Sequence, residues 1–309
     1  MITIFAPAGI GEVGPGTDLA AEIVAAVAAD PAGPLRTGDI VVVTSKVISK
    51  LEGRFRTASE REAAIDTESL GTVARRGPTR IVRTRHGLTV AAAGVDNSNV
   101  TPDSILLLPV DPDASAVRLR AELEEATGAT LGLVVSDTAG RAWRIGQTDQ
   151  AIGASGVRVI ERYAGRHDPY GNELQVTAIA IADELAAAAD LVKAKLSARP
   201  VAVVRGMEGY LSPDPAADGS AAPALDQAET HAALLVRDGA SDMFRHGSRE
   251  AVVAAVLTAT GQGQRYEAVL EAESDAALVE LVVAGSGRGG AEAQLLRDIL
   301  LAALDPPEP

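Results

Sequence analysis

Four apolar, strand-like runs in this chain each end in a compact polar cluster. These are Thr44, Ser45 and Lys46; Asp96, Asn97, Ser98 and Asn99; Ser136, Asp137 and Thr138; and Arg205 with Gly206. Open sheets gather ligands beyond the carboxyl ends of their strands, where rigid backbone holds polar groups against one crevice. Asp96 and Asp137 are the two carboxylates in these clusters, and hard oxygen donors of this type are what magnesium or manganese requires. Either aspartate alone reads better as a turn cap. As a pair they suit a metal as well as they suit two caps.

Phosphate binding needs amides, hydroxyls and cations facing one way. The stretch Gly9 to Gly16 follows strand-like ITIFA and precedes a helix start at Thr17, a geometry that leaves backbone N–H groups free for an anion. Lys46 and Lys50 lie four apart and could pair with phosphate, although lysines so spaced are more often solvated surface charges. No G-x-x-x-x-G-K-[ST] string occurs, so a nucleotide here is held by other means than a Walker loop. Gly285, Gly287 and Gly290 spell G-x-G-x-x-G, but too little chain follows for the second strand and ribose-binding acid of a dinucleotide fold. A turn is the expected reading. GRHDPYGNEL, with His167, Asp168, Tyr170 and Gly171, reads as a polar turn, and Asp183 with Glu184 as acids compensating a helix dipole. Arg141 and Arg144 flank the single Trp143 and could orient a carboxylate or phosphate by paired N–H donors.

The elements that must position these groups follow from periodicity and punctuation. Thr17 is placed to cap a helix through LAAEIVAAVAAD, and Pro31 to Pro34 break it. GDIVVVTSK reads as a buried strand, Ala58 to Arg76 as a charged helix, and RIVRTRHG, LTVAAAGV, ILLLPV and LGLVVSDT as further apolar runs. Asp111 or Asp113 is expected to cap a helix through SAVRLRAELEEATG. Residues 174 to 195 read as a strand passing into an alanine-rich helix, and PVAVVRG as one more strand. The Pro/Ala/Gly/Ser stretch 211 to 224 reads as a loop or linker. A boundary near residue 245 separates a main domain, 1–245, from a short helical tail, 246–309.

Composition narrows the function class. Of 309 residues, 47% are apolar and 23% charged, an ordinary globular balance. No apolar run reaches the roughly 18 residues a membrane-spanning helix needs. The start of the chain has no secretion-signal pattern and there is no cysteine, so cytoplasm is expected. A net charge of -14 argues against nucleic acid as partner, although Arg75, Arg76, Arg80, Arg83 and Arg85 crowd one stretch. An acidic shell with a few concentrated arginines suits a small anion. Without cysteine and with only four histidines, any metal must sit on oxygen.

Six blocks in order, GDIVVVTSKVISKLEGR, AAAGVDNSNV, LLLPVDPDASA, VVSDTAGRAWRIGQTDQAIGASGV, HDPYGNELQVTAIAIADELAAAADLVKAK and PVAVVRG, resemble the coenzyme F420-0:L-glutamate ligase family, most of all its actinobacterial members. The resemblance implies an α+β fold of mixed β-sheets with flanking helices, in an intertwined homodimer. It implies a GTP-dependent ligase that joins L-glutamate to the lactyl carboxylate of a deazaflavin coenzyme precursor, F420-0, and possibly adds further glutamates. By position, Asp96, Asp137 and Thr138 would hold divalent metal, Mg2+ or Mn2+ and two ions in all. Ile10, Gly11, Glu12, Val13, Ser45, Lys46, Lys50 and Asn99 would line the GTP site. Lys195 stands near the place where some archaeal members carry a metal-binding glutamate. Residues 246–309 are too few for the flavin-binding, nitroreductase-like module of many actinobacterial relatives, so no flavin is expected.

The chemistry is coherent. A carboxylate is a poor acyl donor, so phosphoryl transfer from GTP would make an acyl phosphate that the glutamate amine attacks, with metal neutralising the developing charge. Asp137, Arg141 and Arg144 are the residues expected to act on the reacting groups. Two other classes compete: a coenzyme-binding protein without catalysis, and an oxidoreductase using the glycine motif near residue 287.

Overall fold

The computed structural model describes residues 1–98, 100–211, 227–239, 242–272 and 274–304. In chain order the elements are β1 (Thr3–Phe5), α1 (Leu19–Ala29), β2 (Ile40–Thr44), α2 (Ser45–Leu51), β3 (Phe55–Thr57), α3 (Arg61–Glu68), β4 (Ser69–Arg76), β5 (Thr79–Thr84), β6 (Thr89–Ala91) and β7 (Ser104–Leu106). There follow α4 (Pro112–Thr127), β8 (Gly132–Arg141), β9 (Arg144–Ser155), β10 (Glu161–Arg162), β11 (Ala178–Ile179), α5 (Ile181–Lys193), β12 (Val201–Arg205), α6 (Ser248–Ala259), α7 (Tyr266–Leu270), α8 (Asp275–Gly285) and α9 (Gly290–Leu304). The fold class is α+β. No described helix is long and apolar enough to cross a membrane.

The central sheet has the order β1-β12-β2-β8-β9. β2 and β8 run parallel, with Val42 beside Val134, while β12 runs antiparallel to both β2 and β1. The apolar runs become these strands because both faces are covered, so hydrophobicity is nearly continuous along them. Ile40, Val41, Val42 and Val43 are completely buried, as are Leu133, Val134 and Val135. Burying each such side chain contributes about 1.5–3 kcal/mol. On one face α5 lays down Ile181, Ala182, Leu185, Ala186 and Ala189. α4 starts against β9 at Gly153, where a Cβ would lie 2.3 Å from the Pro112 carbonyl oxygen, so this seat admits only glycine.

The strand directions decide where chemistry can gather. β1, β2 and β8 all point one way, so the loop after β1, the start of α2 and the end of β8 leave the sheet at one edge. β12 points the other way, and Arg205 with Gly206 therefore stands at the opposite edge. There Arg205 donates to both oxygens of buried Asp39, at 2.8 Å each. It is a structural pair, which corrects its grouping with the other polar clusters.

Several local expectations also change. The cap of α1 is Asp18, whose carboxylate accepts from Ala21 N–H at 3.0 Å; Thr17 instead accepts from Gly14 N–H, at 3.0 Å. Asp111 caps α4 with Pro112 at its first turn. Asp113 accepts from the N–H groups of Ala154, Ala232 and Ala233. The helix expected over Ala58 to Arg76 ends at Glu68 and passes into β4, because the stretch from Ser69 to Arg76 pairs with β5. The strand expected from residue 174 is only the two-residue β11. Beyond Leu211, the linker read over 211 to 224 lies outside the described residues.

The chain divides into two compact units, and not at residue 245. Met1–Ala64 with Gly94–Arg237 forms one, and Ile65–Ala93 with Asp238–Pro309 forms the other. Within the second unit β4, β5 and β6 make an antiparallel sheet. Helices of the tail serve that sheet: Glu250 of α6 accepts from Arg75 N–H at 2.8 Å, and Glu267 of α7 from Thr72 N–H at 3.1 Å. An edge strand needs such cover for its unpaired amides. Val253, Leu257, Val279, Val282 and Leu300 form the buried core of this unit. LVELVVAG lies in α8, and Gly287 sits in the turn to α9. G-x-G-x-x-G here joins two helices and lacks the strand that a dinucleotide site requires.

Candidate active site at the carboxyl ends of the parallel strands

β2 delivers Thr44 beside Ser136 of β8, and the next residue on each side starts the site. Ser45 opens α2 and its hydroxyl donates to Asp137 Oδ1 at 2.6 Å. Lys46 and Lys50 stand one helical turn apart on α2. Lys46 Nζ pairs with Asp96 Oδ2 at 2.7 Å and donates to the Ser98 hydroxyl at 2.6 Å. Lys50 Nζ pairs with Glu12. Since Glu12 lies in the loop after β1, that pair ties the glycine-rich loop to the same edge.

Asp96 arrives by a route that periodicity does not show. It is not the end of a sheet strand but lies in a loop, fixed by an isolated bridge to Leu106 with Asp96 N–H donating to the Leu106 carbonyl at 3.0 Å. Its own carboxylate accepts from Ser98 N–H at 2.7 Å. Asn99 lies outside the described residues. The glycine loop is open: a Cβ at Gly9, Gly11, Gly14 or Gly16 would meet nothing within 4 Å. Among the described residues, none accepts from the backbone N–H of Ile10, Gly11 or Glu12, and Val13 turns inward to the core. Free amides in an open loop beside two lysines are what an anion finds favourable.

Adjacent strand residues face opposite sides, and the site uses both. Asp137 turns toward Ser45. Ser136 and Thr138 turn the other way, toward Asp149 of β9, which pairs with Thr138 in register. The Thr138 hydroxyl donates to Asp149 Oδ1 at 2.8 Å and the Ser136 hydroxyl to Asp149 Oδ2 at 2.8 Å. Lys193, the last residue of α5, donates to Asp149 Oδ2 at 2.9 Å and to the Ser136 oxygen at 2.7 Å. Lys195 is exposed.

The three carboxylates differ electrostatically. Burial would raise Asp149, but the Lys193 charge and the hydrogen bonds from Lys193, Thr138 and Ser136 outweigh it and hold it below the usual range. Asp96 is held low in the same way by Lys46 and Ser98 against its own desolvation. Asp137 goes the other way. Burial first, then the neighbouring Asp149 and Asp96 charges, push it up to about 6 against the Ser45 hydrogen bond and the Lys46 charge. Among the described residues no side-chain cation is paired with Asp137, and the nearby Lys46 is taken up by Asp96.

That donor set fits an oxygen-seeking divalent cation. Among the described residues no three acids or histidines converge on a complete cage. A magnesium-like ion does not need one, since it usually binds through one or two carboxylates and takes waters and substrate phosphates for the rest.

The structure thus brings Glu12, Ser45, Lys46, Lys50, Asp96, Asp137 and Thr138 to one edge. It does not bring Arg141 and Arg144 there. β8 and β9 continue past the sheet as a two-stranded arm, and these arginines face each other at its tip, roughly 13 Å along the strand from Asp137 at about 3.3 Å per residue. Arg141 is occupied by the Ile145 carbonyl at 3.1 Å, and Trp143 beside it is 82% exposed with a φ of 58°. Lys193, a sequence candidate for phosphate or the coenzyme tail, and Asp149, a candidate for the substrate wall, are instead paired with each other. A signal existed for Lys193, because it continues the buried face of α5 at four-residue spacing after Leu185 and Ala189.

The F420-0:Gamma-glutamyl ligase family model matches residues 9–206, from the glycine loop to the end of β12. The coenzyme F420:L-glutamate ligase of Methanopyrus kandleri is 34% identical over 256 residues, covering 76% of this chain and 94% of the relative. That of Archaeoglobus fulgidus is 37% identical over 225 residues, covering 67% and 88%. That of Methanothermobacter thermautotrophicus is 34% identical over 234 residues, covering 69% and 92%. With more than half its length matched and these relatives nearly covered, the chain belongs to the F420-0:gamma-glutamyl ligase family.

Proposed function

We propose that the chain is a GTP-dependent ligase that adds L-glutamate to the lactyl carboxylate of coenzyme F420-0, releasing GDP and phosphate. The observation that carries this reading is Asp137, a half-buried carboxylate paired with no cation among the described residues, at the edge where the glycine loop, Lys46 and Lys50 also stand. The names of the relatives supply glutamate and the coenzyme as substrates.

The protein's own groups have definite tasks. The amides of Ile10, Gly11 and Glu12, with Val13 anchoring the loop, cradle the phosphates of GTP, and the family resemblance adds Asn99 to the residues that contact GTP. Lys46 and Lys50 exchange Asp96 and Glu12 for phosphate oxygens, a swap between charge-assisted bonds of similar strength. Ser45 holds the Asp137 carboxylate in place. Asp137 and the released Asp96 hold a divalent cation, Mg2+ or Mn2+, which when bound neutralises charge on the transferring phosphoryl group. The coenzyme carboxylate attacks the terminal phosphorus and GDP leaves. The resulting acyl phosphate is attacked by the glutamate amine, which loses a proton as phosphate departs and the amide forms.

The arm carries the remaining proposals. Exposed Trp143 and Ile145 at its tip, with Leu191 and Leu196 near the end of α5, suit a homodimer contact. Arg141 and Arg144 at that tip orient the distal anionic part of the coenzyme. The reaction is placed in the cytoplasm, with neither nucleic acid nor membrane as partner.

Mass analysis of products tests the assignment. With GTP, Mg2+ or Mn2+, L-glutamate and F420-0 all present, one glutamyl residue is added per GDP formed, and omitting any component stops both. No product with all four present overturns the proposal, and tight coenzyme binding without GTP turnover would identify a carrier instead.

A further inference from the structure

Behind Asp137, on the opposite face of β8, lies a polar layer that the proposed reaction does not use. Ser136, Asp149 and Lys193 are 0%, 3% and 5% exposed. Together with the Thr138 hydroxyl they form a closed set in which both Asp149 oxygens accept hydrogen bonds. Oxygen donors grouped in this way, a carboxylate and two hydroxyls, are what a second divalent cation would take in a two-metal phosphoryl-transfer site. Here the place is filled by the ammonium group of Lys193.

The two lysines differ in how easily they can leave. Lys46 sits at the open edge and its partner Asp96 is 39% exposed at the side chain, so both ends can reach solvent or ligand. The Lys193–Asp149 pair is enclosed, with side chains 6% and 4% exposed. Pulling Lys193 out would leave a buried carboxylate unpaired, at a cost of several kcal/mol.

We infer that this protein binds one divalent cation per chain, at Asp137 and Asp96, and that the Lys193 ammonium is a built-in substitute for the second. Lys193 is a positioning residue: it holds Asp149 and Ser136 directly and the Thr138 hydroxyl through Asp149, and it keeps these three groups from collecting metal. The two-ion complement and the Thr138 metal contact implied by the family resemblance therefore do not fit this donor set. The inference rests on the cation site of the proposed ligase.

Counting metal tests it independently of turnover. Purified full-length protein saturated with GDP is dialysed to equilibrium against Mn2+, with GDP alone as the reference, and bound Mn2+ is counted by electron paramagnetic resonance. Wild type is expected to hold one ion per chain and Lys193→Gln two, since the glutamine leaves Asp149 without a cation. Lys193→Arg, which keeps the charge, is expected to stay at one. Two ions in wild type, or one in a folded Lys193→Gln variant, overturn the inference while leaving the ligase proposal standing. Should the glutamine variant not fold, the wild-type and arginine counts still decide. Zero ions in wild type overturn the cation site itself. In activity, Lys193→Gln should lower kcat by about 10- to 100-fold with little change in the GTP KM, as outer-shell changes at metal sites do.

Discussion

Two aspartates stand at opposite ends of the same central sheet, and they have opposite fates. Asp39, 1% exposed, receives a two-pronged contact from Arg205 and also accepts from Arg36 N–H at 2.9 Å. Both charges of that pair are satisfied inside the fold. Asp137 has a hydroxyl from Ser45 and two carboxylates for neighbours, and its proton is held up to about 6. A satisfied buried charge marks architecture, whereas an unsatisfied one marks a place that waits for a ligand. Strand direction makes the difference: the carboxyl ends of β1, β2 and β8 meet at one edge, while β12 brings its arginine to the other.

Breaking each end should therefore cost different things. Asp137→Asn keeps the shape and removes the charge, so turnover should fall by about 100- to 1000-fold, the range seen when one strong electrostatic contact is lost. The same variant should unfold at an equal or higher temperature without metal, because a destabilising charge is gone. An unchanged rate in the ligation assay would remove Asp137 from the site. Arg205→Met should do the reverse. It strands Asp39 in the interior and should lower unfolding free energy by about 3–5 kcal/mol, read from urea titration, while the folded fraction keeps its kcat.

The pH response sharpens the contrast. Raising the Asp137 pKa from 3.8 to about 6 in the folded state means that the folded protein binds the proton more tightly than the unfolded chain. Its contribution to stability is full below about pH 4 and is lost as pH rises through 6, a change of about 2–3 kcal/mol at 1.36 kcal/mol per unit. Saturating Mg2+ should flatten that window, because it replaces the proton. Thermal melts between pH 4 and 7, with and without Mg2+, read this directly. The smallest effects belong to the arm tip. Arg141→Ala and Arg144→Ala should each leave Mn2+ binding unchanged and raise the KM for F420-0 by no more than about tenfold, near 1.4 kcal/mol.

Much of the sheet was legible because its strands are short, apolar and sharply punctuated. Val41 to Val43 and Leu133 to Val135 announce buried strands, and Ser45, Lys46 and Asp137 follow them at once in sequence. What periodicity could not carry was direction. Nothing local in PVAVVRG says that β12 runs against its neighbour, so Arg205 was grouped with the wrong edge. Asp96 reaches the site through the long-range bridge to Leu106, and its preceding apolar run belongs to β6 in another sheet. The tail reads as a separate short segment because its helices are locally plain, yet Glu250 and Glu267 accept from amides of β4 far away in sequence. Lys193 and Asp149 show the same lesson at the site, since each is ordinary alone and only their pairing gives them a role.

The most direct test follows the Asp137 carboxyl itself. In protein labelled with 13C at aspartate carboxyls, its signal, assigned by its loss in Asp137→Asn, should titrate near 6 without metal and drop below about 4, the usual carboxylate range, once Mg2+ is added. A midpoint near 4 without metal, or one that does not respond to Mg2+, would contradict the account of this edge as a cation-dependent active site.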